Sequence, residues 1–303
     1  MKTIQAYIFE LWSKLFELFG RLFLFNWFPP RVGDVITGVR YGQESKKQSL
    51  DVVIPEGKPP FPVMVYVHGG AFHVMDKKSY RRLSRYFASK GYLVFNINYR
   101  MAPGHRFPVG LQDVGAAVKW ADDFAGRNGG DGSRMYIAGD SAGAYFASMY
   151  AAAAQSPGLM SSIGIEEGIP PEHLKGLLLF YGAYDMETVL DTGFPLINFV
   201  SRGFFGFDPQ VYRSRAETAS PLRHVTSSFP PAFVTSGERD SLHPESVEFD
   251  RALTEAGIPH RALFFTREEH PFAYTWHGFA SVPFFKCSRI ACREACAFMD
   301  ELR

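Results

Sequence analysis

Five residues, Gly139-Asp140-Ser141-Ala142-Gly143, stand between a short apolar run and an Ala-rich run, and they carry the clearest chemistry in the chain. The preceding Met135-Tyr136-Ile137-Ala138 has the character of a buried strand, and residues 142–154 read as a helix. A strand that turns this tightly into a helix puts its central residue in a strained backbone conformation. The turn is tolerated only when the residues two before and two after are small. It also sets the Ser141 hydroxyl at a helix N-terminus, where free N–H groups and the helix dipole stabilise developing negative charge. That is the setting of a serine nucleophile in acyl transfer. The bland alternative, a chance G-x-S-x-G in a Gly-rich loop, does not explain the flanking strand and helix.

A second motif, His68-Gly69-Gly70-Ala71, closes the apolar run 62–67. Consecutive small residues let the main chain turn sharply and aim several N–H groups at one point, as an oxyanion hole requires. The donors expected there are the N–H groups of Gly70, Ala71 and Ala142, with Gly69 shaping the turn.

With Asn98-Tyr99-Arg100-Met101-Ala102-Pro103, Phe107-Pro108 and Asp113, these motifs resemble those of the hormone-sensitive-lipase-like esterases, relatives of arylacetamide deacetylase and the plant carboxylesterases. The resemblance covers residues 45–303. It implies an α/β-hydrolase fold, with a mostly parallel sheet flanked by helices and a helical cap, and a carboxylic ester hydrolase that needs no cofactor and no metal. An amide-cleaving deacetylase, or a ligand-binding member without catalysis like the gibberellin receptors, is the alternative. Two residues depart from the family pattern: Ala71, where a third Gly is usual, and Ala144, where a further Gly is common.

A catalytic triad in this fold needs an acid and then a histidine downstream of the serine. Gly237-Glu238-Arg239-Asp240-Ser241-Leu242 looks like the family's acid-bearing turn with Ser241 in place of Pro, and Asp240 is the expected acid. Glu238 and Asp250 read as solvated surface carboxylates. Two histidines compete for the base. His277-Gly278-Phe279 carries the commoner family tripeptide, whereas His270-Pro271-Phe272 stands five residues after the strand expected at 260–265. Acid and base are separated by one helix, a Gly257 turn and one strand, elements whose lengths the sheet sets. That places the base at His270, 30 residues after Asp240, with His277 as the alternative needing seven more loop residues. His73 and His105 read as residues at the mouth of the site.

Those groups have to be positioned by a sheet. Short β-rich runs at 35–41, 50–54 and 62–67 are followed by an alternation of helix 78–90, strand 92–98, helix 110–125, strand 134–138, helix 142–154 and strand 175–181. Strand 232–236, helix 244–256, strand 260–265 and helix 286–302 complete it, which implies βαβ units and a parallel sheet. Residues 184–225 break the rhythm with aromatics, Gly and Pro and read as a cap insertion, so the catalytic domain is expected over 46–183 and 226–303. Residues 1–45 form a lead-in. Within it, 4–28 has apolar residues at helical spacing opposite Glu10, Lys14, Glu17 and Arg21. Those charges exclude a spanning segment. A lid is preferred over an interfacial helix, because the polar face pairs acids with bases and gains little from anionic lipid.

The 303 residues are 46% hydrophobic and 21% charged, enough to bury a core. An aromatic share of 16%, including 29 Phe, is high enough that part of it is expected to line an apolar pocket. A net charge of +1 without a basic stripe argues against nucleic acid as a partner. The odd set Cys287, Cys292 and Cys296 fits neither a disulfide framework nor a zinc site. The expected partner is a small apolar ester, of short to medium acyl length or aryl type, handled in the cytoplasm. A homodimer and a weak membrane-interface contact through residues 4–28 stay open.

Overall fold

An eight-stranded sheet in the order β1-β2-β4-β3-β5-β6-β7-β8 organises the computed structural model, which describes residues 15, 17–20, 25–271 and 274–302. The strands are β1 (Asp34–Arg40), β2 (Ser49–Ile54), β3 (Phe61–Val67), β4 (Leu93–Ile97), β5 (Gly130–Asp140), β6 (Leu174–Phe180), β7 (Ala232–Gly237) and β8 (His260–Phe265). β1 pairs with β2, and β2 with β4, antiparallel; every pairing from β4 to β8 is parallel. The strand order reverses around β3 and β5. In open α/β sheets, the crevice at the carboxyl ends of strands flanking such a reversal is where ligands bind. The chain places both of its Gly-rich motifs there, since 68–71 follow β3 and 139–143 end β5.

The helices are α1 (Arg81–Ala88), α2 (Val109–Ala125), α3 (Ala142–Ala154), α4 (Pro157–Ile163), α5 (Ile197–Phe205), α6 (Pro209–Thr218), α7 (His243–Glu255) and α8 (Lys286–Glu301). Alternation along the central strand decides the two layers. Val63, Val65 and Val67 join the core under α2 and α3, while Met64 and Tyr66 join the one under α1 and α8. All 13 residues of α3 are buried, a position an Ala-rich helix reaches because its small side chains let it lie close to the sheet. Cys287, Cys292 and Cys296 are buried on α8, and none of them is in a disulfide among the described residues.

The expected strands and helices lie within a few residues of their sequence positions, with two exceptions. β5 begins at Gly130, well before 134, and the helix expected from 78 starts at Arg81, preceded by a 3-10 turn at Lys77–Tyr80 that the Asp76 side chain caps. Between β6 and β7 lie α5 and α6, which have no sustained period to announce them. The amphipathic helix read over 4–28 falls largely outside the described residues. Of it, Leu15 and 17–20 are helical, and Glu17 accepts a hydrogen bond from Ser79 Oγ at 3.1 Å. Among the described residues, no helix is long and apolar enough to cross a membrane.

Candidate active site

Ser141 sits at φ 53° and ψ −120°, left-handed backbone that costs a non-glycine residue about 1–3 kcal/mol. The surroundings impose it: its N–H donates to the Phe180 carbonyl at 2.9 Å, and its own carbonyl accepts from Tyr145 N–H at 3.1 Å. A Cβ on Gly139 would lie 2.4 Å from the Gly143 carbonyl carbon, and one on Gly143 would lie 2.0 Å from the Val67 carbonyl oxygen. Both glycines are therefore fixed by backbone approaching backbone. Ala144 is accommodated because its Cβ faces Gly182, where a Cβ would come within 2.8 Å of it.

His277, not His270, reaches the serine. Its Nε2 lies 2.9 Å from Ser141 Oγ and its Nδ1 lies 2.7 Å from Asp240 Oδ2. Asp240, with no side-chain exposure, also accepts from Leu242 N–H at 2.9 Å through Oδ1. With the Nδ1 proton donated to the carboxylate, the Nε2 lone pair faces the hydroxyl, the geometry of a general base. The expected base, His270, takes no part in this bridge. It ends a turn after β8, its N–H bonded to the Thr266 carbonyl at 3.1 Å and its ring 5.3 Å from Phe265. The chain then returns over the end of β7, where a Cβ on Gly237 would meet the Thr275 carbonyl oxygen at 2.2 Å. That contact, and not the length of the preceding strand, sets where the base falls.

The other carboxylates weighed for the acid are engaged elsewhere. Glu238 accepts from Arg267 N–H at 2.7 Å, and Asp250 pairs with His260 at 3.0 Å. His105 is exposed, and His73 holds the Ala71 carbonyl through Nδ1 at 2.7 Å.

The loop after β3 is pinned to the serine turn by Asp140, whose role the sequence did not reveal. Gly69 N–H donates to Asp140 Oδ1 at 2.9 Å, Tyr66 donates to the same oxygen at 3.1 Å, and Tyr80 donates to Oδ2 at 2.9 Å. Burial pushes the Asp140 carboxyl up to about 6, opposed by those hydrogen bonds and by His277. Because the Gly69 N–H is spent on Asp140, the groups left to face a ligand are the N–H groups of Gly70, Ala71 and Ala142, none of which has an acceptor among the described residues. Gly70 has φ 114° and a Cβ there would strike the Val74 carbonyl oxygen at 2.1 Å; Ala71 follows at φ 50°, a conformation costing an alanine about 1–2 kcal/mol.

The motif from Asn98 to Asp113 holds this loop from behind. Tyr99 OH donates to the His68 carbonyl at 2.9 Å, and its ring stacks on the His68 imidazole at 4.4 Å. Burial lowers His68 to about 4, so it stays neutral and its Nδ1–H donates to the Gly69 carbonyl at 2.7 Å. Asp113 in turn binds Arg100 at 2.8 Å and Gln48 at 2.8 Å.

Aromatic side chains close the site. Tyr181 and Phe194 lie edge-on to the His277 ring at 4.9 and 4.8 Å, and Phe199 lies 6.3 Å from the His73 ring. Phe204 stacks on Phe72 at 4.1 Å and is buried with Phe205. The aromatic richness thus divides: Phe204 and Phe205 are core, and the half-buried Phe194 and Phe199 border the histidines.

Comparison with known proteins agrees with this architecture. A family model described as the alpha/beta hydrolase fold matches residues 64–274, a span holding both Gly-rich motifs and Asp240. Esterase LipQ of Mycobacterium tuberculosis is 30% identical over 230 residues, covering 72% of this chain and 52% of LipQ. Esterase LipC of the same organism is 32% identical, covering 72% of this chain and 53% of LipC. The chain thus spans about half the length of these curated relatives. Among solved structures, esterase B from Lactobacillus rhamnosis superposes with a TM-score of 0.86 at 20% identity, over 98% of this chain and 94% of that one. An esterase of Pyrobaculum calidifontis gives 0.76 at 25% identity, over 98% and 92%. The strand order, the strained Ser141 turn and the matched span together make this chain a member of the α/β-hydrolase fold family.

Proposed function

We propose that the chain is a carboxylic ester hydrolase working through a Ser141-His277-Asp240 triad. The observation that carries this reading is the single imidazole bridging Oγ of Ser141 and Oδ2 of Asp240 at 2.9 and 2.7 Å. His277 takes the Ser141 proton as Oγ attacks the ester carbonyl, and the N–H groups of Gly70, Ala71 and Ala142 hold the resulting oxyanion. The imidazolium then gives its proton to the departing alkoxide oxygen, leaving an acyl-Ser141 ester. Water, deprotonated by His277, attacks that ester, and the imidazolium returns this proton to Ser141 Oγ as the C–Oγ bond breaks, releasing the acid and the free serine. Asp240 orients the imidazole and stabilises its charged form throughout. No step calls for a cofactor.

Esterase names among the relatives and fold neighbours support the reaction class. The substrate is an apolar ester of short to medium acyl length or with an aryl group. Phe194 and Phe199, beside His277 and His73, offer it rings and no charge. Purified protein assayed with p-nitrophenyl esters is expected to turn over the butyrate and hexanoate faster than the palmitate, with Ser141→Ala inactive on all of them. Turnover retained in Ser141→Ala, or none in the wild type, overturns the proposal.

A further inference from the structure

His73, two residues past the oxyanion motif, holds both peptide planes that flank Ala71. A trans peptide points its carbonyl and its N–H in opposite directions. The Gly70 carbonyl accepts from the N–H groups of His73 and Val74, each at 3.0 Å, so the Ala71 N–H of the same peptide points the other way, out of that turn. The Ala71 carbonyl, on the next peptide, accepts from His73 Nδ1 at 2.7 Å. A carbonyl can only accept, which sets an imidazole proton on Nδ1. Burial lowers the His73 imidazole from its ordinary value, so above neutral pH the ring is uncharged and carries that proton alone. One residue thus fixes the backbone on both sides of Ala71, which sits at φ 50°, a conformation that alanine does not hold unaided.

The cap seats the imidazole. Gly203 of α5 lies against its far edge, where a Cβ would come 2.4 Å from Nε2 and 3.0 Å from Cε1 of His73. Phe199, one turn earlier on the same helix face, sets its ring 6.3 Å from the imidazole. Phe204, the next residue after Gly203, stacks on Phe72 at 4.1 Å. α5 therefore bears on two consecutive residues of the oxyanion loop. Glycine inside a helix is unfavourable relative to alanine, so its presence where the ring meets the helix backbone marks a packing requirement.

We propose that His73 is a positioning residue of the oxyanion hole and that it couples the cap helix α5 to it: Gly203 seats the imidazole, the imidazole holds the Ala71 carbonyl, and the Ala71 N–H is thereby aimed at the developing oxyanion. This rests on the triad reading given above. A shift of α5, which also borders the substrate through Phe199, reaches the oxyanion donors without passing through Ser141, His277 or Asp240.

Kinetics of His73→Leu, His73→Asn and Gly203→Ala on p-nitrophenyl butyrate, with inhibition by an alkyl trifluoromethyl ketone, test the coupling. Such a ketone adds to a nucleophilic serine as a tetrahedral oxyanion, so its Ki reports on the oxyanion donors. His73→Leu keeps bulk and loses the donor. Its kcat is expected to fall about 10- to 100-fold with KM within about threefold, the range for a donor turned off line. The ketone's Ki should rise by about the factor that kcat/KM loses. Asparagine carries an N–H donor where Nδ1 stood, and His73→Asn is expected to retain kcat within about threefold. Gly203→Ala leaves every hydrogen-bonding group in place and should still lower kcat about threefold or more, with a parallel rise in Ki. Equal impairment of His73→Leu and His73→Asn, or wild-type kcat and Ki in His73→Leu, overturns the positioning role, and wild-type values in Gly203→Ala overturn its link to α5. Either result leaves the triad reading standing if the wild type turns over ester and Ser141→Ala does not, whereas an inactive wild type removes both. If circular dichroism shows His73→Leu unfolded, Gly203→Ala decides by the same two readouts.

Discussion

His277→Ala is expected to lower kcat for a p-nitrophenyl ester by about 10⁴- to 10⁶-fold, the range over which serine hydrolases lose rate when the triad base is removed. His270→Ala should stay within about twofold of wild type, as for a substitution away from the chemistry. The contrast follows from position alone. His277 Nε2 is 2.9 Å from Ser141 Oγ, and without it the hydroxyl must lose its proton to water at a cost the oxyanion donors cannot offset. His270 is tied to Thr266 and Phe265 at the start of the returning loop and touches no member of the triad. KM should change little in either variant, because the imidazole acts on the transition state more than on bound ester. Steady-state kinetics of both variants, with circular dichroism to verify folding, checks this.

Asp240→Asn is expected to cost about 10⁴-fold in kcat while leaving the fold intact, by analogy with the same exchange in serine proteases. Here the reason can be traced atom by atom. Leu242 N–H donates to Oδ1 of Asp240 at 2.9 Å, so an asparagine keeps its carbonyl oxygen at that place and turns its NH₂ toward His277. Nδ1 of His277, now 2.7 Å from a donor, must accept, and the imidazole proton moves to Nε2. An Nε2–H facing Ser141 Oγ cannot take the serine proton. Asp240 is buried with no side-chain exposure, so the neutral isostere should not destabilise the chain. Activity of the variant should recover partly as pH rises toward hydroxide-assisted attack, whereas a loss caused by unfolding would not. A pH–kcat profile of the asparagine variant distinguishes the two.

Features governed by local sterics were readable in the sequence. The Gly139-Asp140-Ser141-Ala142-Gly143 turn, α3 over 142–154 and β8 over 260–265 all follow from small residues or apolar periodicity within a few positions. The oxyanion loop was legible for the same reason, since no Cβ fits at Gly70. The base was misplaced because loops obey contacts distant in sequence. The segment ending in His277 is held by Thr275 lying on Gly237, a contact between residues 38 positions apart that neither stretch announces. Asp140 is a similar case. Its partners Tyr66 and Tyr80 lie 74 and 60 residues away, and only the folded sheet brings their hydroxyls to one carboxylate. α5 and α6 escaped because they are only 9 and 10 residues long, too short for a period to stand out from the aromatics, Gly and Pro of the surrounding 184–225 segment.

The central claim is that Ser141 is the nucleophile and that His277 activates it, and a fluorophosphonate probe tests both at once. Intact-mass and peptide mapping of wild-type protein should show one adduct, on Ser141. That adduct should be absent in Ser141→Ala, should form at least about a thousandfold more slowly in His277→Ala, and should form at the wild-type rate in His270→Ala. An adduct on another residue, or slowed labelling in His270→Ala with normal labelling in His277→Ala, would contradict the account.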